Sequence, residues 1–255
     1  SISNFLKLFD LPNNKINVLI YKSTHANYSF INYLPQSTGV FLGRVLNLNL
    51  FGQYYLGKLF ALLIFIITGI WALRTTPAKK NLIFIYLLLP MVIFLCSSYS
   101  ADAMIIVLSI IYINLIMIYS IKLKYVSHKT IFSIYLIGLL LCFTKPVSYF
   151  LLFIILLIPN SSFPRPQRKK FYSFLFLFIA LIITAANNLN YSSEFTDFNR
   201  GANILPLRQI ANIIINPWLF VKTIINSLTN YFPFYLQSFL GNFGHLNVPI
   251  PDFAI

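Results

Sequence analysis

Long apolar runs separated by short polar breaks make up most of this chain, and the lengths of the runs set its architecture. A helix crossing the hydrocarbon core of a bilayer needs about 20 apolar residues, and several runs reach or approach that length. Gln53–Leu73 predicts a first span, stopped by the basic, proline-containing break Arg74–Lys80. Leu82–Cys96 predicts the second span and Met104–Ile121 the third. Ile131–Phe143 and Val147–Ile158 are shorter and are parted only by Thr144-Lys145-Pro146. They predict either a tight hairpin or two steep crossings of a thin membrane. Phe171–Ala186 predicts a sixth span. Before these runs, Asp10–Asn14 and His25–Tyr28 carry turn chemistry, and a helix is expected over Ser37–Leu46 with Arg44 on it. After them, helices are expected over Arg208–Asn216 and Trp218–Leu240, with Pro217 in the first turn of the second. Lys222, Asn226, Asn230, Pro233 and Gln237 make that last helix interfacial or cavity-lining rather than a seventh span. The glycine- and proline-bearing stretch Leu240–Asp252 is expected to be a rigid, loop-like end.

Composition fits the pattern: 58% of residues are hydrophobic, 9% are charged and mean hydropathy is +0.77. The fold class is therefore all-α, a polytopic transmembrane protein with about six spans and outer loops that hold short interfacial helices. A net charge of +14 would point to nucleic acid in a soluble protein, but in a membrane protein its meaning lies in the loops. No nucleic-acid partner is inferred. Cys96 and Cys142 lie inside apolar runs, as small hydrophobes do, and imply neither a disulfide framework nor a metal.

The basic residues are unevenly placed. Three breaks, after the first, third and fifth runs, hold Arg74, Lys79 and Lys80, then Lys122, Lys124 and Lys129, then Arg165, Arg168, Lys169 and Lys170, with no acid among them. The rest of the chain holds nine basic residues and all five acids. Short cytoplasmic loops collect Lys and Arg, so these breaks are expected to face the cytoplasm. By parity, residues 1–52 are an extracytoplasmic loop with short helices, 53–186 the transmembrane core, and 187–255 an extracytoplasmic, interfacial segment. A chain whose first residue lies outside implies an earlier span, so flanking spans are expected beyond this sequence.

Asp102 stands in the polar break Ser97–Ala103, where the second and third runs meet. A charge at membrane depth costs a few kcal/mol and marks a cavity or pathway. The same residue, or Ser100, also suits a helix N-cap, and the two readings are compatible.

Four stretches in order carry a family resemblance: Tyr33-Leu34-Pro35-Gln36 with Lys58 in the next span, Ser98-Tyr99-Ser100-Ala101-Asp102, Lys145-Pro146-Val147-Ser148-Tyr149, and Gly241-Asn242-Phe243-Gly244-His245-Leu246 with Pro249 and Pro251. Together they resemble the DUF2142 family of bacterial membrane proteins, which is similar to the GT-C glycosyltransferases. Lys58 stands where an Arg is expected, and Phe243-Gly244-His245 where an aliphatic-Gly-Trp pattern is more usual. The resemblance implies a multi-pass protein of the bacterial cytoplasmic membrane. Such a protein would transfer a sugar from a polyprenyl-phosphate donor to a cell-envelope glycan on the outer face, with membrane lipid around it.

Such a transfer needs a base for the acceptor hydroxyl and cations for the departing phosphate. Asp102 is the carboxylate expected to be indispensable. Asp10 is the alternative base, since it lies on the first outer loop, where GT-C enzymes place their catalytic acid. Lys145 is the first choice for phosphate, against plain snorkelling to the headgroups, and pairing with Asp102 would offset the cost of both charges. Arg44, Lys58 and Arg208 are further cations, with lipid-headgroup contact as their simpler role. His25 and His245 are possible assistants, and Tyr149, Trp218 and Tyr231–Tyr235 possible sugar or lipid contacts. No cofactor or metal spacing is present. Two other classes compete: a transporter or flippase of lipid-linked glycans, and a non-catalytic subunit of envelope-polysaccharide assembly. No inverted repeat supports the transporter.

Overall fold

The computed structural model describes residues 29–121, 126–163, 169–194, 206–243 and 248–249. These residues are helical apart from one antiparallel pair of two-residue strands, β1 (Asn242–Phe243) and β2 (Val248–Pro249). They form two units. The first holds the described residues up to Leu88 together with Val92–Asn190, and the second Leu89–Met91 and the described residues from Tyr191 on.

In the first unit a 3₁₀ turn, Phe30–Tyr33, runs straight into α1 (Leu34–Val45). α2 (Leu50–Thr75) starts at Asn49, whose side chain accepts from the Gly52 N–H at 2.8 Å. α1 lies against α2 at backbone distance because Gly39 has no side chain: a Cβ there would sit 2.5 Å from the Leu56 carbonyl and 2.7 Å from Gly57 Cα. Gly43 meets Gln53 in the same way, one turn on.

α2 and α5 (Asp102–Ile121) run parallel. At their starts the Tyr99 hydroxyl, just before α5, donates to the Tyr54 carbonyl at 3.2 Å. Further along, Asn114 bonds Thr75 at 2.6 Å and Thr76 at 2.7 Å. The residues between them therefore carry the chain back. They do so as two helices, α3 (Lys80–Leu87) and α4 (Pro90–Cys96), because Pro90 has no N–H to offer and disfavours helix in the residue before it. α6 (His128–Thr144) returns beside α5, with Tyr119 against Thr130 at one end and Asp102 against Lys145 at the other.

The next stretch comprises the 3₁₀ turn Pro146–Ser148, α7 (Tyr149–Leu152) and the 3₁₀ helix Phe153–Leu157. A 3₁₀ helix rises about 2.0 Å per residue against about 1.5 Å for an α-helix. This short run therefore reaches the far end, where Val126 N–H donates to the Ser162 carbonyl at 2.7 Å. Leu152, Ile155 and Ile158 are buried along it. α8 (Lys169–Glu194) turns back, stacking Phe176 on Tyr135 of α6 with ring centroids 4.6 Å apart. The core gathers Tyr112, Ile116, Ile134, Leu141, Leu152, Ile155 and Ala180 from these elements.

Two helices are long and apolar enough to cross a membrane by length and composition, α2 and α5. The other runs expected to span differ from single straight helices: the second is broken at Pro90, the fourth has 17 residues, and the fifth is largely 3₁₀. The sixth continues past Ala186 to Glu194. In the second unit α9 (Pro206–Ile215) and α10 (Pro217–Gly241) match the two expected tail helices, and α10 exposes most of its apolar side chains.

Candidate functional site

Ser100 and Asp102 divide the two roles that the sequence leaves open. The Asp102 N–H donates to Ser100 Oγ at 3.1 Å and the Ala103 N–H to the Ser100 carbonyl at 3.4 Å, so Ser100 caps α5. Asp102 then occupies the first turn, where the helix dipole favours a carboxylate. Its Oδ2 accepts from Ser100 Oγ at 3.4 Å, and its Oδ1 lies 2.5 Å from Lys145 Nζ. Lys145 follows the last residue of α6, in extended backbone that turns its side chain off the helix. The pair joins two elements 43 residues apart. Both side chains keep about a third of their surface, 36% for Asp102 and 33% for Lys145. At that exposure the pair adds little stability, and it presents two opposite charges to whatever fills the junction.

Two buried amides border the pair. Asn32 Nδ2 donates to the carbonyl of Thr144, the residue before Lys145, at 3.2 Å. Gln36 Nε2 donates to the Ser98 and Ser100 carbonyls at 3.3 and 3.4 Å. Asn32 has no exposed surface and Gln36 only 1%. The sequence reading quotes Gln36 within a motif and gives neither residue a role. The available signal is a pair of amides four residues apart, on one face of a segment otherwise apolar there.

On the α2 side, Tyr99 stacks on Tyr54 with centroids 4.9 Å apart. Burial, and then the neighbouring Tyr54, pushes the Tyr99 phenol above its ordinary value of 10.0. Gly57 makes room for it, since a Cβ there would lie 2.0 Å from the Tyr99 hydroxyl.

The other expected residues are dispersed. Lys58 lies over the rings of Tyr54 and Tyr55, 4.6 and 5.6 Å from their centroids, beside the Tyr99 stack. Arg44 is exposed in the last turn of α1, two turns beyond Gln36. Tyr149 turns its ring edge-on to Phe153 at 5.4 Å and packs against the apolar core. Trp218, Tyr231 and Tyr235 are exposed on α10, and Arg208 belongs to α9. Asp10, His25 and His245 lie outside the described residues. Among the described residues no three His, Cys, Asp or Glu side chains gather as a metal site.

Lys169, counted above as a loop cation, is instead buried. Its amine donates to the Leu156 carbonyl at 3.2 Å and to the Ile158 carbonyl, closing the end of the 3₁₀ segment. An apolar cleft of about 390 Å³ runs beside α2, lined by Leu62, Phe65, Ile66, Leu73, Phe84 and Leu87 among others.

No curated protein and no solved structure matches the chain. A family model described as a predicted membrane protein matches residues 10–255, nearly the whole sequence. With its apolar helices and the motifs that line the junction, the chain belongs to DUF2142, a family of predicted membrane proteins.

Proposed function

We propose that the protein is a six-pass glycosyltransferase of the bacterial cytoplasmic membrane. It moves a sugar from a polyprenyl-phosphate carrier to an envelope glycan on the outer face. The observation that carries this reading is the Asp102–Lys145 pair, partly exposed at the end of the helices away from the three basic breaks. The alternating direction of α2, residues 80–96, α5, α6, residues 146–158 and α8 supports six passes. Basic loops at one end put that end in the cytoplasm and the pair outside.

In this reading Lys145 holds the donor phosphate, and its charge answers the one that builds up as the sugar leaves. Asp102 holds the lysine at the junction and is the carboxylate on which transfer depends, with Asp10 as the other base. The apolar cleft along α2 suits the hydrocarbon of the carrier, since its lining offers nothing but apolar contact.

The test uses purified protein in lipid, given a radiolabelled polyprenyl-phosphate sugar and candidate glycans. Transfer should occur, and Asp102→Asn should lower it by roughly a hundredfold or more. Full transfer by Asp102→Asn would sink the assignment. Movement of lipid-linked glycan across vesicles without a new glycosidic bond would replace it with transport.

A further inference from the structure

We infer that Asn32 and Gln36 are positioning residues for the Asp102–Lys145 pair, a two-point clamp in which each amide nitrogen holds one of the backbone segments that carry the charges. Asp102 opens one helix and Lys145 follows the end of another, so chain connectivity alone does not fix their separation. Asn32 holds the carbonyl next to Lys145, and Gln36 holds the carbonyl of the residue that caps the Asp102 helix. Their four-residue spacing on the continuous helical run 30–45 puts both on one face. That run is itself fixed, because Gly39 brings it to backbone contact with α2.

The oxygens of the two amides show what the nitrogens are for. Among the described residues neither Asn32 Oδ1 nor Gln36 Oε1 has a hydrogen-bond partner, and both are buried. A buried acceptor without a donor is costly. Leucine or methionine would fill the same space without that cost, so the gain must lie in the donor ends. The atom facing two carbonyl oxygens has to be the NH₂ group, which also fixes which way Gln36 is turned. The clamp concerns the pair on which the proposed function rests, but its test reads the pair and not the transfer. Absence of sugar transfer would therefore sink that function and leave the clamp standing.

The intact chain in lipid nanodiscs would be reductively methylated with ¹³C-formaldehyde, and the Lys145 dimethylamine signal identified by its loss in Lys145→Arg. It should be displaced from the signals of exposed Lys79 and Lys129, and the displacement should collapse in Asp102→Asn. Gln36→Met and Asn32→Leu should each at least halve the displacement, and together remove nearly all of it. Asn114→Leu breaks the buried amide bonded to Thr75 and Thr76, away from the junction, and should leave the Lys145 signal in place. If the apolar variants do not fold, Gln36→Glu and Asn32→Asp keep the shape, exchange the donor nitrogen for oxygen, and should give the same loss. A Lys145 signal unmoved in any folded clamp variant overturns the inference. So does an equal loss in Asn114→Leu, or a parent signal already coincident with those of the exposed lysines.

Discussion

An alanine at position 57 would place its Cβ 2.0 Å from the Tyr99 hydroxyl, so Tyr99 would have to leave its stack on Tyr54. At position 39 the atoms in the way are the backbone of Leu56 and Gly57, which cannot step aside. Both substitutions should destabilise, by roughly 1–3 kcal/mol as overpacking does, with Gly39→Ala the worse. Thermal unfolding in detergent reads the order, and a milder Gly39→Ala would refute this account of the crossing. Tyr99 also sets a pH dependence. Its phenol is raised on folding, so the folded chain holds that proton more tightly than the unfolded chain does. The contribution is intact below the unfolded-state value of about 10 and is lost as pH rises through the folded-state value. The fall in melting temperature between about pH 9 and pH 11 should accordingly be smaller in Tyr99→Phe than in the parent. At this scale the sequence shows Asp102 and Lys145 plainly, as charges interrupting apolar runs. It hides Asn32 and Gln36, because an amide carries no charge and its partners are backbone carbonyls more than 60 residues away.

Among the elements, α1, α2, α5, α6 and both tail helices fall close to the ranges that apolar run length predicts. Run length fails where backbone chemistry intervenes. Pro90 splits one run into two helices, and the run after Pro146 takes the longer rise of a 3₁₀ helix. Lys169 closes the far end of that run, where a loop charge free in water would be expected. Removing its amine would leave the Leu156 and Ile158 carbonyls without that donor. Lys169→Met should cost about 1–3 kcal/mol, the penalty of stranding buried polar groups. Thermal unfolding checks this, and a variant as stable as the parent would show that the carbonyls find other donors.

Over the whole molecule, the three basic breaks lie at one end of the helices and the Asp102–Lys145 pair at the other. Both the six-pass topology and the proposed outer-face chemistry depend on which end faces out. Single cysteines at exposed Lys79 and Lys129 should be protected in intact cells from an impermeant thiol reagent, while one at exposed Phe30 should react. The reverse pattern would invert the orientation and move the pair to the cytoplasm. Loop charge makes this legible from sequence, because the membrane sorts it. The convergence of residues 32, 36, 102 and 145 is not legible there, since it depends on helix packing between distant segments.

Leu152, Ile155 and Ile158 recur every third residue, and in a 3₁₀ helix side chains at that interval eclipse one another. They form a straight keel parallel to the segment's axis, where an α-helical stripe would wind around it. The segment can therefore lengthen or shorten only in steps of three. One residue more or fewer swings the keel a third of a turn out of its slot, a constraint that ordinary α-helical spans of the same bundle do not share.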